Sequence, residues 1–177
     1  MSSGKMIKFV DGNMVEYRIL PLVDQYDPIL RKPAKAIDFE TEPGGKVAYM
    51  AMSIMETLNK SGAVGLAAPQ VGLSVRICAI ALDNKIWSLI NPTIIDKSPN
   101  KVALKEGCLS FPGLYLSISR PEWVEVEFYA ANGEKTTKRF TGITATVVQH
   151  EMDHLDGICF TDLVSPLKLE MARRKSK

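Results

Sequence analysis

The chain has 177 residues, 46% of them hydrophobic and 24% charged, with a formal net charge of +2, which is typical of one folded domain and favours no class of charged partner. Its three cysteines are an odd number and thinly spread, so they indicate a reducing compartment rather than a disulfide framework. Because no apolar run has the length of a signal-peptide core or a membrane span, we expect a cytoplasmic protein with no membrane partner.

The first 45 residues are predicted to be extended segments and loops, because four prolines interrupt them. An amphipathic helix follows over about residues 46–60, and Ser61-Gly62 ends it. Its apolar stripe consists of Val47, Met50, Ala51, Ile54, Met55 and Leu58.

The next part of the chain has the pattern of β-strands. A nearly continuous apolar run over residues 75–82 turns at Asp83-Asn84-Lys85 into a second strand over residues 86–90. Pro92 and the Ser98-Pro99-Asn100 cluster mark further turns.

Further strands and a last helix are predicted towards the C-terminus. A short strand is expected over residues 102–104, and residues 124–129 alternate between apolar and polar side chains, as in a half-buried strand. Asn132-Gly133 is a strong hairpin signal that leads into a strand over residues 135–140. Ser165-Pro166 can start a last, short helix.

A helix is also predicted between these strands and the C-terminal helix. Ile143, Val147, His150 and His154 recur at spacings of four, three and four, and Gly157 can end the helix. Together the elements predict an α+β fold. Mostly antiparallel sheets would pack around this central helix, with an N-terminal helix and a short C-terminal helix besides.

The central helix carries His150-Glu151-Met152-Asp153-His154. Two imidazoles one turn apart on one face could hold a metal ion. Glu151 is offset by one residue, so it can act as a base towards water without joining the ligands. The alternative is an exposed helix with two ordinary histidines. It is disfavoured because the chain has only two histidines and both are here.

A catalytic metal of this kind needs a third protein ligand. The candidates are the three cysteines and many carboxylates. Cys78 lies in an apolar run, and Cys159 lies between two apolar residues, so both are most simply buried packing residues. Cys108 follows Gly107, which lets the backbone approach a metal closely. Spacing alone favours Cys108 without settling the choice.

The stretch Gly65-Leu66-Ala67-Ala68-Pro69-Gln70 permits two interpretations. It can be a tight turn that feeds the following strand. It can also be a site where small residues let a ligand reach the backbone while Gln70 offers an amide donor. It is not a phosphate-binding loop, because it lacks the lysine and the glycine spacing of one.

Three stretches together resemble the motifs of the peptide deformylase family, and they occur in the family's order. They are Gly65-Leu66-Ala67-Ala68-Pro69-Gln70, Glu106-Gly107-Cys108-Leu109-Ser110 and Gln149-His150-Glu151-Met152-Asp153-His154. The resemblance starts at about residue 19, which leaves residues 1–18 as a variable extension of one catalytic domain, 1–177, and residues 165–177 as its C-terminal helix and basic tail. One departure is Ala63, where the family usually has a further glycine.

The resemblance implies a metal-dependent hydrolase that removes the formyl group from formylmethionine of newly made polypeptides and releases formate. It also implies that Cys108, His150 and His154 hold the metal. The family's usual physiological ion is Fe²⁺, and Zn²⁺, Ni²⁺ or Co²⁺ can occupy the site. The Gln70 amide and the Leu109 backbone N–H would stabilise charge on the formyl oxygen.

The residue types fit this activity. Glu151 would accept a proton from the attacking water and return it to the departing amine. Six residues are candidates for the peptide-binding surface. Aliphatic groups would form a methionine pocket, or simply pack helix against sheet, and glycine-bearing segments would pair with an extended peptide. These candidates are Val64, Gly65, Gly113, Leu114, Ile143 and Val147.

Three charged residues are candidates for supporting roles. Glu106 and Arg120 are expected to form an ion pair that supports the cysteine loop, although each could be a surface charge. Asp153 can belong to the same support or be solvated.

The tail, Arg173-Arg174-Lys175-Ser176-Lys177, is basic. It can be a frayed helix end, or it can contact ribosomal RNA near emerging nascent chains. We expect a monomer.

Two other functions compete with deformylation. An H-E-x-x-H zinc endopeptidase would need a downstream third ligand, for which Glu170 is available. A non-enzymatic metal-binding or nucleic-acid-binding module would have no need of Glu151 and Gln70.

Overall fold

The computed structural model describes residues 6–10 and 13–175, and these form three α-helices and nine β-strands. The helices are α1 (Gly44–Ser61), α2 (Gly142–Leu155) and α3 (Pro166–Lys175). The strands are β1 (Met6–Val10), β2 (Asn13–Tyr17), β3 (Gly65–Ala67), β4 (Ile77–Leu82), β5 (Lys85–Lys97), β6 (Lys101–Cys108), β7 (Phe111–Pro121), β8 (Trp123–Tyr129) and β9 (Lys135–Thr141). Short 3₁₀ turns occupy Pro28–Arg31, Ala68–Val71 and Phe160–Leu163.

The strands form one large sheet and two hairpins, and every pairing between the named strands is antiparallel. The large sheet has the order β3-β4-β5-β8-β9, while β1 pairs with β2 and β6 pairs with β7. The predicted α+β class with mostly antiparallel sheets is confirmed. In the described part of the chain, no helix is long and apolar enough to cross a membrane.

Helix α1 covers one part of the core, as its apolar stripe predicts. Five of the six predicted stripe residues are buried, and Met55 is half-buried. They pack against residues of β4 and β5, including Ile77, Ala79 and Ile90. Gly62 ends the helix in the left-handed conformation, with a φ of 69° that favours glycine.

Helix α2 lies in the middle of the molecule. Ala145, Val148, Met152 and Leu155 pack against the inner face of the large sheet, including the alternating residues of β8. The remaining face of α2 carries the two histidines towards the β6–β7 hairpin. The central helix predicted from the histidine spacing is therefore confirmed, and its histidines and Glu151 are buried inside the molecule.

Two features of the strands differ from the prediction. Pro92 was predicted to mark a turn, and this is wrong because β5 continues through it. Asn91 has a φ of 50°, and the register with β8 shifts between Ile90 and Thr93. This irregularity accommodates a residue that cannot donate a backbone hydrogen bond.

Strand β7 was not predicted, although its inward residues Leu114, Leu116, Ile118 and Arg120 are buried in alternation. Pro112-Gly113 reads locally as a turn, and this obscured the alternation that follows it. The strand over 102–104 is also longer than predicted, since β6 extends to Cys108. The ends of both strands build the site.

The first 45 residues contain the β1–β2 hairpin, a 3₁₀ turn and loops, in keeping with the predicted extended segments. Residues 1–5 and 11–12 of the predicted extension and Ser176-Lys177 of the predicted tail lie outside the described residues. The boundaries of the proposed domain and its extension stay a prediction.

Candidate metal centre and its cleft

Three possible metal ligands from two distant segments converge beside α2. His150 and His154 lie one turn apart on the helix, and Cys108 lies at the end of β6. The Cys108 Sγ atom is 3.3 Å from His154 Nε2, and the three ligand atoms all lie within 4.8 Å of one another. Within residues 6–10 and 13–175, no other group of three or more Cys, His, Asp or Glu side chains has its ligand atoms arranged so that they could hold a metal ion.

The donor set fits a divalent metal ion. Nδ1 of His150 lies 2.8 Å from Glu106 Oε2, so the bond to the carboxylate uses that nitrogen and leaves Nε2 for a metal. Burial, and then the charge of His150, lower the pKa of His154 to about 3, which keeps this imidazole neutral. Burial would lower the pKa of His150, but the hydrogen bonds to Cys108 and Glu106 raise it to about 10, so a metal ion would have to replace the proton of this ring. One thiolate with two imidazoles that have given up that proton is a donor set that zinc and late first-row metals accept.

A network of buried, charged side chains contacts His150 through its Nδ1 atom. Arg120 donates to both oxygens of Glu106, at 2.6 and 3.0 Å, and to Asp153 Oδ2 at 2.8 Å. Burial alone would raise the pKa of Glu106, but the hydrogen bonds from His150 and Arg120 lower it overall. The expected ion pair between Glu106 and Arg120 is present, and Asp153 extends it.

Replacing Arg120 with methionine should destabilise the fold by about 3–5 kcal/mol, because Glu106 would lose the cation that compensates its burial. Urea unfolding of the metal-free protein measures the change. Arg139→Met is the matched control. Arg139 is half-exposed, its nearest carboxylate contact is 3.8 Å long and its guanidinium lies 4.0 Å from the Trp123 ring centroid, so its loss should cost about 1–2 kcal/mol. Equal losses in both variants would contradict a structural role for the buried pair.

Glu151 lies between the two histidines and is 4% exposed. Burial raises the pKa of its carboxyl to about 7. Its Oε2 atom has no hydrogen-bond partner among the described residues, which is uncommon for a buried carboxylate oxygen. An unpaired acceptor here is available to a water molecule or a substrate in the cleft.

Gly65 of β3 faces this carboxylate. A Cβ atom at Gly65 would lie 2.3 Å from Glu151 Oε1 and 2.8 Å from Val147 Cγ1, both far inside ordinary contact distance. A larger residue at this position would therefore displace the side chains of Glu151 and Val147.

Gly65→Ala should lower turnover by about 10²-fold, because Glu151 must move from its place beside the histidines. The kcat of the variant and of the unchanged protein, compared in the same assay, measures it. Gly45→Ala is the control, since nothing lies within 4 Å of its Cβ position in α1, and it should leave turnover unchanged. Full activity of the Gly65 variant would show that Glu151 need not hold this position.

Gln70 lies at the end of the glycine-bearing stretch, in the 3₁₀ turn Ala68–Val71. Its Oε1 accepts from the Ala67 backbone N–H at 2.8 Å. Its Nε2 therefore faces Ser110 Oγ at 3.1 Å and Cys108 Sγ at 3.4 Å. The stretch thus consists of strand β3 and a 3₁₀ turn that directs an amide donor to the cluster. The turn is confirmed, and the approach of a ligand to this backbone stays a prediction.

A cavity of about 560 Å³ opens beside the cluster. Most of the residues that line it were named in the sequence analysis, and all six candidate peptide-binding residues are among them. Val64 and Ile143 stand at its mouth, 57% and 73% exposed. The lining residues named in the sequence analysis are Ala63, Val64, Gly65, Gln70, Glu106, Gly107, Cys108, Leu109, Gly113, Leu114, Ile143, Val147, His150 and Glu151.

The sequence analysis gave no role in the site to several residues that the structure places there. Leu104, Lys105 and Tyr115 line the same cavity, and Ser110 contacts Gln70. Three of the four lie on β6 or β7, and the alternation of β7 is the signal that could have found Tyr115. Cys78 and Cys159 are buried, as predicted, and neither belongs to the converging group; burial raises the pKa of the Cys159 thiol to about 11.

A buried glutamate between two histidines, a cysteine close to both and a largely apolar cleft are together typical of a metal-dependent hydrolase. Comparison with known proteins then gives the family. The family model described as polypeptide deformylase matches residues 19–170. The chain therefore belongs to the peptide deformylase family, whose members are metal-dependent hydrolases that remove N-terminal formyl groups.

Individual relatives agree with this assignment. A peptide deformylase from Christiangramia forsetii is 36% identical over 174 residues, which covers 89% of this chain and 87% of the relative. Peptide deformylase 1 from Nostoc sp. is 38% identical over 156 residues, covering 85% of this chain and 81% of the relative.

Solved structures show the same fold. A peptide deformylase from Synechococcus elongatus in complex with actinonin has a TM-score of 0.81 at 37% identity, covering 89% of this chain and 85% of that one. A peptide deformylase from Thermotoga maritima has a TM-score of 0.76 at 36% identity, covering 84% of this chain and 99% of that one.

Proposed function

We propose that this chain removes the formyl group from formylmethionine at the N-terminus of newly made polypeptides, with Cys108, His150 and His154 as its metal ligands. The observation that carries the assignment is the convergence of these three donors within 4.8 Å. Membership of the peptide deformylase family supports the substrate.

The bound divalent ion would supply Lewis acidity, which lowers the pKa of a water molecule and polarises the formyl carbonyl. Fe²⁺ is the ion that we expect in the cell, and Zn²⁺, Ni²⁺ or Co²⁺ can take the same donors in a preparation. Glu106 and Arg120 have a positioning role, because they hold the His150 ring through its Nδ1 atom.

Glu151 moves the proton. Its carboxylate accepts a proton from the attacking water and returns it to the amine nitrogen as the C–N bond breaks. Its burial beside the histidines and its unpaired Oε2 support this role. Because Glu151 is not among the three converging donors, it can change its protonation without releasing the metal.

Charge that develops on the formyl oxygen needs fixed donors. The Gln70 amide and the Leu109 backbone N–H supply them in this proposal. The bond from Ala67 N–H to Gln70 Oε1 supports it, since that bond turns the amide nitrogen towards Cys108. One donor of this kind is worth about 3 kcal/mol of the barrier.

The peptide would lie in the 560 Å³ cavity. Val64, Ile143 and Val147 would contact the methionine side chain. β3 pairs only with β4 in the described residues, so Gly65 lies on an edge to which an extended peptide can add. Gly113 and Leu114 line the opposite side of the same cavity.

The competing endopeptidase function is not favoured. Its third ligand would be Glu170, but this carboxylate lies on α3 in an ion pair with Arg174 and is absent from the metal-binding cluster of the described residues. A purely metal-binding or nucleic-acid-binding module would leave the unpaired Glu151 and the open cleft unexplained.

The test is formate release from a formyl-methionyl peptide by metal-loaded protein, with metal analysis of the same sample. A blocked peptide without a formyl group, followed for internal cleavage, is the control. Formate release without internal cleavage is expected. Internal cleavage without formate would establish the endopeptidase in its place.

We also propose a cytoplasmic monomer that consists of one catalytic domain, residues 1–177, with a variable extension at residues 1–18. Contact with ribosomal RNA through the basic tail is a further proposal, supported by Arg173, Arg174 and Lys175 at the end of α3. Ribosome co-sedimentation at increasing salt tests it with and without residues 173–177, and identical binding would remove the proposal.

A further inference from the structure

A second cavity, of about 410 Å³, continues the proposed substrate cleft. It lies between β7 and α3, and Lys105, Gly113 and Tyr115 line both cavities. The remaining lining residues of the second cavity are Leu116, Ser117, Lys168, Met171, Ala172 and Lys175. The two cavities therefore adjoin at Tyr115, so a peptide that extends beyond the first cavity there comes next to the second.

We name this second cavity the lysine groove, because Lys105, Lys168 and Lys175 line it and no aspartate or glutamate does. Lys168 Nζ donates to the Ser117 carbonyl at 2.6 Å, and Lys105 Nζ lies 4.9 Å from the Tyr115 ring centroid. The contact partners of both ammonium groups are thus uncharged. Among the described residues, none of the three lysines takes part in an ion pair.

The groove also has the shape and lining that suit a polypeptide. It follows β7 from Gly113 to Ser117, a run of about 13 Å at the strand rise per residue, so it could hold about four further residues of an extended chain. Leu116, Met171 and Ala172 give it an apolar floor. An apolar floor below three cations fits peptide side chains with terminal carboxylates.

We propose that the lysine groove binds the downstream part of the substrate polypeptide and favours substrates with aspartate or glutamate there. This inference rests on the proposed function and extends it to residues beyond the formylmethionine. Continuity with the cleft favours a peptide over RNA as the occupant, because the peptide is already tethered at the metal and reaches the groove at a high effective concentration.

The first experiment uses formyl-methionyl peptides of eight residues and identical composition. Two glutamates stand at positions 2–3, 4–5 or 6–7, and every other residue is neutral. We expect kcat/KM for formate release to be about three- to tenfold higher for one placement beyond position 3, and 0.5 M salt to reduce the difference. Equal kcat/KM at every placement would overturn the inference.

The second experiment changes the groove. Lys105→Glu with Lys175→Glu should reverse the preference, so that peptides with two lysines at the favoured position become better substrates than the glutamate peptides. The ratio of the two kcat/KM values is the readout, and a merely structural role would not reverse it. Lys101→Glu, with Lys101 exposed on the same strand β6, is the control for reversed charge outside the groove and should keep the original preference.

Three other results of these experiments would each lead to a different conclusion. Reversal by Lys101→Glu as well would assign the preference to net charge and overturn the groove. RNA oligonucleotide binding that the double variant abolishes, without any effect of glutamate placement, would assign the groove to nucleic acid and overturn the peptide proposal. Absence of formate release from every peptide would instead overturn the proposed function itself.

Discussion

Glu151→Gln is expected to lower kcat by about 10²- to 10⁴-fold while the protein keeps its metal. The amide has the size of the carboxylate but cannot accept the proton of the attacking water. Because Glu151 is not among the converging donors, its substitution should leave metal content unchanged. Single-turnover formate release and metal analysis of the same preparation measure both parts of the expectation.

The matched control for this variant is Glu170→Gln. Glu170 is an exposed glutamate on α3, so the same chemical change there should leave kcat and metal content as they are. Full turnover in the Glu151 variant would refute its role as the proton carrier. Loss of metal in that variant would show that Glu151 is a ligand.

Cys108→Ser should remove the metal and, with it, nearly all activity. A serine hydroxyl is not ionised near neutral pH, so it cannot replace the thiolate that completes the donor set with His150 and His154. Metal analysis after gel filtration should show a fall from about one ion per chain to a small fraction of that. Circular dichroism should show the fold retained, because α2 and the large sheet pack without the sulfur.

Cys159→Ala is the control for the loss of a thiol. Cys159 is buried in the apolar cluster against which Cys108 packs, but it is not among the three converging donors, so this variant should lose some stability and keep its metal. If Cys108→Ser kept its metal while Glu170→Gln lost it, the endopeptidase assignment would replace deformylation.

The elements that sequence analysis predicted well depend on neighbours close along the chain. The stripe of α1, the turn at Asp83-Asn84-Lys85 and the hairpin at Asn132-Gly133 follow from local periodicity and from turn residues that tolerate positive φ. Strand β7 and the passage of β5 through Pro92 were missed, because pairing with a distant strand outweighed a local turn signal.

The candidate site also has one part that follows from local sequence and another part that depends on tertiary structure. The spacing of His150, Glu151 and His154 on one helix was determined by the sequence itself, because a helix places residues i and i+4 together wherever it lies. Spacing alone left the choice of cysteine open, and the tertiary structure shows which one lies beside both histidines. Cys108 is 46 residues from His154 along the chain, and packing of the β6–β7 hairpin against α2 brings them together.

The support and the cleft were likewise decided by tertiary structure. The link from Arg120 to both Glu106 and Asp153, the room that Gly65 leaves for Glu151, and the path past Tyr115 into the lysine groove all join distant segments. The secondary-structure preferences of a short segment do not give the distance between residues that are far apart along the chain. They are set when buried surfaces from separate elements pack at a single relative position.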